Sequence, residues 1–214
     1  MADRPRIAVV FTGGTISMLP DPVTGAAVPA LDGTAILERV PGLEAIADLE
    51  PIDWGLVPAS HLRFSQILEI GAVIADAAER EDIDGVVVVQ GTDVLEETSY
   101  AWDLLHAIDT PVVVVGAMRN AGDPDYEGPA NITDAVRVAA DPRTRGQGVV
   151  VVMDGRILPA DDVTKTDSQS IAAFQALNDG PLGFVRDGTV VLERERRDRR
   201  MLLEWPHVAA EPVA

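Results

Sequence analysis

Residues 7–17 read IAVVFTGGTIS, an apolar run that stops at two glycines set between threonines. Ile7 to Phe11 are mostly β-branched or aromatic and show no polar face, the pattern of a strand buried on both sides in a parallel sheet. Gly13 and Gly14 supply the φ freedom that a sharp exit from such a strand requires. The turn thereby carries the Thr12 and Thr15 hydroxyls, with several backbone N–H groups, at the carboxyl edge of a sheet, where open α/β sheets bind ligands. Taken alone, the Gly-Gly pair fits a plain strand-to-loop turn equally well, so the reading depends on whether similar loops follow.

They do. Residues 50–58 read as a second strand ending in the loop 58–61 (PASH), after a short helix over 34–40 stopped by Pro41-Gly42. Helix-period segments at 66–80, 94–107 and 129–139 then alternate with the apolar strands Val86–Val89, Val112–Val115 and Val149–Val152. Apolar strands alternating with amphipathic helices imply a doubly wound α/β domain, with a mostly parallel sheet and right-handed crossovers. Asp154-Gly155 and Asp187-Gly188 are hairpin turn signals, so residues 156–192 should hold small β-hairpins around a polar loop. Residues 19–33 (LPDPVTGAAVPALDG) read as a flexible loop, either a lid beyond the glycine turn or a solvated connector. Residues 193–200 (ERERRDRR) read as a solvated mixed-charge segment. The expected division is an α/β domain over 1–192 and a charged linker or tail over 193–214.

Composition narrows the chemistry. Apolar content of 47% and charged content of 24% over 214 residues are those of an ordinary globular protein with one sizeable core. There is no cysteine, so disulfides and thiolate zinc sites are excluded. No signal-peptide h-region follows Met1, and no apolar run approaches the roughly 20 residues of a membrane span. A cytoplasmic location without membrane contact is therefore expected. A net charge of −18 opposes phosphate backbones and argues against nucleic acid as a partner. Of the 17 basic residues, Lys165 is the one lysine and the rest are arginine. Arginine stays protonated, whereas a partly buried lysine can give up its proton and act as a base.

Four loops thus lie at predicted strand ends: 12–17, 59–61, 90–93 and 116–120. In the third, Asp93 three residues before Glu96 fits an Asp-x-x-Glu box at a helix start. The same loop also presents a hydroxyl, Thr92, and a carboxylate beside a positive helix end. Threonine is a weak nucleophile unless a base takes its proton. His61, His106 and His207 each read as structural, and no Ser-His-Asp triad suggests itself. Lys165, in a loop that is neither helix nor strand by pattern, is the available base; touching Thr92 and held by Asp93, it would suit acyl transfer. There is no GxxxxGK[ST] or GxGxxG motif and no metal-ligand spacing, so no cofactor is expected. The acidic stretch 123–127 (DPDYE) reads as a solvated loop.

Six motifs in order, TGGTI (12–16), GTDVLEETSY (91–100), PVVVVGAMR (111–119), GPANITDAVRVA (128–139), DVTKT (162–166) and GPLGF (180–184), make the chain resemble the N-terminal domain of the bacterial-type asparaginase/glutaminase family over residues 6–192. The resemblance implies that Thr15 attacks a side-chain amide, supported by a triad of Thr92, Lys165 and Asp93. It implies substrate contacts at Gly14, Ser60, His61 and Ala117, with Ser60 and Asp93 on the substrate's carboxylate and amino groups. The Ala117 carbonyl would face the amide nitrogen, and N–H groups near Gly14 and Thr92 would hold the oxyanion. The implied substrate is asparagine, with glutamine open, and the implied assembly a homodimer or homotetramer.

Three departures accompany it. The family's lid tyrosine has no counterpart in Ala26-Ala27-Val28-Pro29, the chain's tyrosines being Tyr100 and Tyr126. Gln90 stands where a histidine often precedes GTD. The sequence ends near the family's inter-domain linker, so it reads as a fragment or a naturally short chain without the smaller second domain. The reading from another class is a small amino-acid binding module that keeps the pocket and lacks turnover.

Overall fold

Five parallel strands, four of them buried and rich in valine or isoleucine, organise the chain. A computed structural model describes residues 4–21, 23–25, 27–107, 109–196 and 202–204. In chain order, β1 (Arg6–Phe11) is followed by a hairpin of β2 (Met18–Pro20) and β3 (Ala27–Pro29), then α1 (Gly33–Leu37) and β4 (Asp48–Asp53). Next come α2 (Phe64–Ala78), β5 (Gly85–Val89), α3 (Leu95–Leu105), β6 (Val112–Val115), α4 (Gly128–Ala140) and β7 (Val149–Met153). The last part is β8 (Arg156–Pro159), β9 (Val163–Lys165), β10 (Phe174–Ala176), β11 (Gly183–Arg186) and β12 (Thr189–Leu192). The main sheet has the order β12-β11-β8-β7-β6-β5-β1-β4. From β4 to β7 all pairings are parallel; β8, β11 and β12 extend the sheet antiparallel. The fold is the expected doubly wound, mostly parallel α/β domain with hairpins near its C-terminal end.

The core explains why these segments are strands. The four valines of each of Val86–Val89, Val112–Val115 and Val149–Val152 are all buried, each burial contributing about 1.5–3 kcal/mol. β-Branched side chains pack well on a pleated surface and are covered on both faces by the helices. On one face α2 and α3 lie side by side, joined by the Trp102 indole N–H donating to the Ile67 carbonyl at 2.8 Å. On the other face α4 packs over β5, β6 and β7. The steps from β5 to β6 through α3 and from β6 to β7 through α4 run the same way across the sheet. With their helices on opposite faces, the two steps have opposite hands. Uniformly right-handed crossovers, expected from the general preference, therefore do not hold.

Because β1 lies between β4 and β5, the strand order reverses direction between β1 and β5. Crevices of this kind, at the carboxyl ends of the strands, are where such sheets bind ligands. The loops leaving these two strands are Thr12–Ser17 and Gln90–Asp93.

Two segments differ from their sequence reading. Residues 19–33 are not a structureless loop, since Met18 pairs with Pro29, Leu19 with Val28 and Pro20 with Ala27 in the β2–β3 hairpin. The charged run beginning at Glu193 is exposed at Glu193 and Glu195, as expected, but buries the side chain of Arg196. The Arg196 side chain is 3% exposed and forms ion pairs with Asp103 and Asp161, both at 2.7 Å. Asp103 also accepts from the Val149 N–H, so the cluster ties the run to α3 and β7. The two carboxylates raise the Arg196 guanidinium further above its ordinary range, against burial, which works to lower it. A charge pattern does not reveal which arginine has buried partners. Residues 197–201 and 205–214, with His207, lie outside the described residues. Among the described residues no helix is long and apolar enough to cross a membrane.

Removing the Arg196 guanidinium leaves Asp103 and Asp161 without their counter-charge. Arg196→Ala should lower the unfolding free energy by about 3–5 kcal/mol, read as a shifted midpoint in urea denaturation with an unchanged slope.

Candidate active site

The site is built where backbones approach more closely than side chains allow. Gly13 and Gly14 have φ values of +101° and +96°, a region in which L-residues are strained. A Cβ on Gly14 would overlap the Cα of Gly91. On Gly13 a Cβ would fall 2.7 Å from the Val57 nitrogen, and on Gly91 2.8 Å from the Ala59 Cβ. The loops after β1, β4 and β5 therefore meet backbone to backbone. Thr12, buried, donates to the Val89 carbonyl at 3.2 Å. Its hydroxyl thus joins β1 to β5 and is not available to the site.

Thr15 opens a 3-10 turn over Thr15–Ser17 and is half-buried. Ser17 closes that turn by donating from both its N–H (3.0 Å) and its hydroxyl (2.7 Å) to the Gly14 carbonyl. The Thr15 hydroxyl makes no hydrogen bond among the described residues, which leaves its oxygen open to a ligand.

Across the crevice, Lys165 Nζ lies 2.9 Å from Thr92 Oγ1 and 3.8 Å from Asp93 Oδ1. Thr92 is buried; the Lys165 and Asp93 side chains are 21% and 59% exposed. The expected contact of the lysine with Thr92 and Asp93 is present, although Lys165 is not in an irregular loop. It ends β9, opposite Phe174 of β10, with its ammonium 6.0 Å from that ring's centroid. The hairpin is held at its base by Asp162, which accepts from the backbone N–H groups of Leu177, Asn178 and Asp179. Burial works against the Asp162 charge, yet these N–H groups outweigh it and keep the carboxyl below its ordinary value.

Glu96 is the positioning group that the sequence concealed. Its carboxylate accepts from the Lys165 backbone N–H, a bond spanning 69 residues of sequence. Asp93 and Glu96 do not form the helix-start box that their spacing suggests: α3 begins after Val94 with no side-chain cap. Gln90, fully buried, donates from its amide to the Thr98 hydroxyl at 2.8 Å and so braces the loop from behind.

Ala59–His61 forms a 3-10 turn against Gly91, with Ser60 and His61 exposed. Ala117 is fully buried in the loop after β6. That loop is held by Asn131, whose amide donates to the Gly116 carbonyl at 3.1 Å, and by Glu127, whose carboxylate accepts from the Met118 and Arg119 N–H groups. All four predicted loops therefore lie along one edge of the sheet. Of the segment without a lid tyrosine, Ala26 lies outside the described residues. Among the described residues no group of three or more His, Cys, Asp or Glu side chains could hold a metal ion.

Fold and edge define a doubly wound α/β domain with a polar site at its switch point. Residues 6–198 match the family described as Asparaginase, N-terminal, and the chain belongs to the asparaginase family. It is 34% identical over 203 residues to a protein named Probable L-asparaginase periplasmic from Haemophilus influenzae, covering 94% of this chain and 58% of the relative. It is 34% identical over 192 residues to L-asparaginase 2 of Escherichia coli, covering 89% and 55%. A crystal structure titled Probable Cytoplasmic L-asparaginase from Campylobacter jejuni superposes with a TM-score of 0.83 at 33% identity, covering 90% of this chain and 58% of that one. The chain spans about half the length of the curated relatives it matches.

The contact of Gly14 with Gly91 has a direct consequence. Gly14→Ala should destabilise the chain by about 2 kcal/mol or more, from the strained φ and the overlap together. Urea denaturation measures the loss.

Proposed function

We propose that this chain is the N-terminal domain of an amidohydrolase that converts L-asparagine to L-aspartate and ammonia, with Thr15 as the nucleophile. The observation that carries this reading is the 2.9 Å approach of Lys165 Nζ to Thr92 Oγ1, with Asp93 beside both. Thr15 Oγ attacks the side-chain amide carbonyl while its proton passes through Thr92 to Lys165. The Asp93 carboxylate, 3.8 Å from Nζ, lies beside the resulting ammonium. Backbone N–H groups near Gly14 and Thr92 receive the charge that develops on the carbonyl oxygen. The C–N bond then breaks, the leaving nitrogen takes up the proton and departs as ammonia, and an ester to Thr15 remains. Water adds to that ester and releases aspartate, returning the proton to Thr15. Ser60 and Asp93 take the substrate's carboxylate and amino group, His61 borders them, and Ala117 offers its carbonyl to the amide nitrogen. No cofactor enters these steps.

Ser60, His61 and Asp93 are all exposed in a single chain. This fits a homodimer or homotetramer in which further polypeptide closes the site, acting on a small substrate in the cytoplasm. The same exposure favours, as the second reading, a module that binds asparagine without turning it over.

Ammonia release from asparagine separates the two. The hydrolase reading expects turnover that Thr15→Ala and Lys165→Arg each reduce by roughly 1,000-fold or more, since residues acting as a unit fail together. Calorimetric binding of asparagine with no ammonia produced would favour the module. Turnover undiminished in Lys165→Arg would remove the lysine from the mechanism.

A further inference from the structure

The acidic stretch 123–127 is a loop solvated at Pro124 and Asp125, as its composition suggests, but Tyr126 within it turns inward. Tyr126 is half-buried, and its ring fills the space left by the missing side chain of Gly128. Its hydroxyl donates to the Ile16 carbonyl at 3.0 Å, across 110 residues of sequence. Ile16 follows Thr15 directly, and its own side chain is fully buried. The same loop reaches the β2–β3 hairpin one turn further on. There the Ala121 N–H donates to the Met18 carbonyl at 3.1 Å, and a Cβ on Gly122 would lie 2.5 Å from the Pro20 ring. Residues 121–126 thus bond to the carbonyls of Ile16 and Met18, on either side of Ser17.

We infer that Tyr126 is a positioning residue for the Thr15 turn: by donating to the Ile16 carbonyl it fixes the Ile16–Ser17 peptide inside that turn, and through it the backbone that sets the direction of the Thr15 side chain. Two features make the bond suited to this. Its donor and acceptor come from the loops after β6 and β1, so it joins two of the four edge loops at the nucleophile's turn rather than within either loop. The phenol is a donor at neutral pH as any tyrosine is, and burial, with the Glu127 charge adding to it and Arg39 opposing, pushes it up to about 12, so the bond persists into the alkaline range. The Ser17 bonds to Gly14 close the turn locally, whereas the Tyr126 bond anchors it to the rest of the domain. Its catalytic part rests on the reading of Thr15 as nucleophile.

Tyr126→Phe keeps the ring and removes the hydroxyl. Hydrogen exchange read by mass spectrometry should accelerate about tenfold at Ser17 and Met18, the loss of one partly buried hydrogen bond. Exchange elsewhere in the sheet should not change. The kcat for ammonia release should fall about tenfold with KM held within about twofold, as expected when orientation rather than binding is lost. Tyr100→Phe, which removes the chain's other tyrosine hydroxyl, should leave exchange at the turn and kcat unchanged. Unchanged exchange at the turn in Tyr126→Phe overturns the positioning role. So does faster exchange spread evenly over the sheet, which marks general destabilisation. Faster exchange at the turn with unchanged kcat overturns its part in the reaction. An unsubstituted chain that releases no ammonia counts against the hydrolase reading instead, and exchange at Ser17 and Met18 then decides the positioning role by itself.

Discussion

The near-contact of two backbones, at Gly14 and Gly91, is the constraint on which the site depends. A parallel strand pair holds its chains a fixed distance apart, and a side chain on either loop would force the exits of β1 and β5 to diverge. Without side chains the exits converge, and Thr12 bonding to Val89 closes the seam behind them. The third loop joins through Ala59, whose small side chain is in turn set against Gly91. At the strand-order reversal the main chain of these loops is consequently held close together, and its N–H groups are fixed dipoles that need little reorganisation to meet a charge.

Lys165 reaches this crevice from another part of the fold. It is carried by a two-stranded hairpin outside the main sheet, with β10 on one side and Glu96 holding its backbone on the other. A flexible four-carbon side chain gains a defined position only when its base is fixed and its stem is enclosed. Both conditions are met here, through Glu96, Thr92 and the Phe174 ring. The ion cluster of Arg196 with Asp103 and Asp161 lies on the same route. It ties the residues just before β9 to α3, the helix that also bears Glu96. A carboxylate at the start of that helix and another near its end thus both bear on the seating of the hairpin, the second while also holding β7.

Much of the fold was legible because strand burial leaves a local mark. A strand covered on both faces must be apolar along its length, and VVVV can hardly be mistaken for a surface segment. The Asp-Gly turns were equally plain: Asp154, Gly155, Asp187 and Gly188 all adopt positive φ, as two-residue hairpins with a type I′ turn require. What failed were readings that need a distant partner. The β2–β3 hairpin is short, and its segment is rich enough in proline, glycine and alanine to pass for a loop. Arg196 looks like its neighbours in a charged run, and the face on which α4 packs has no trace in its own periodicity.

By itself the sequence determined the order of the parallel strands and the helices between them, the edge at which they end, and the residue types gathered there. Those follow from local rules of burial periodicity and glycine geometry that act within a few residues. Only the tertiary structure decided which groups touch: Lys165 with Thr92, Glu96 with the Lys165 backbone, Tyr126 with Ile16. Each of these bonds joins residues at least 69 positions apart. A hydrogen bond needs its partners within about 3 Å and correctly aligned, a condition set by the packing of whole elements and not by the chemistry of either residue.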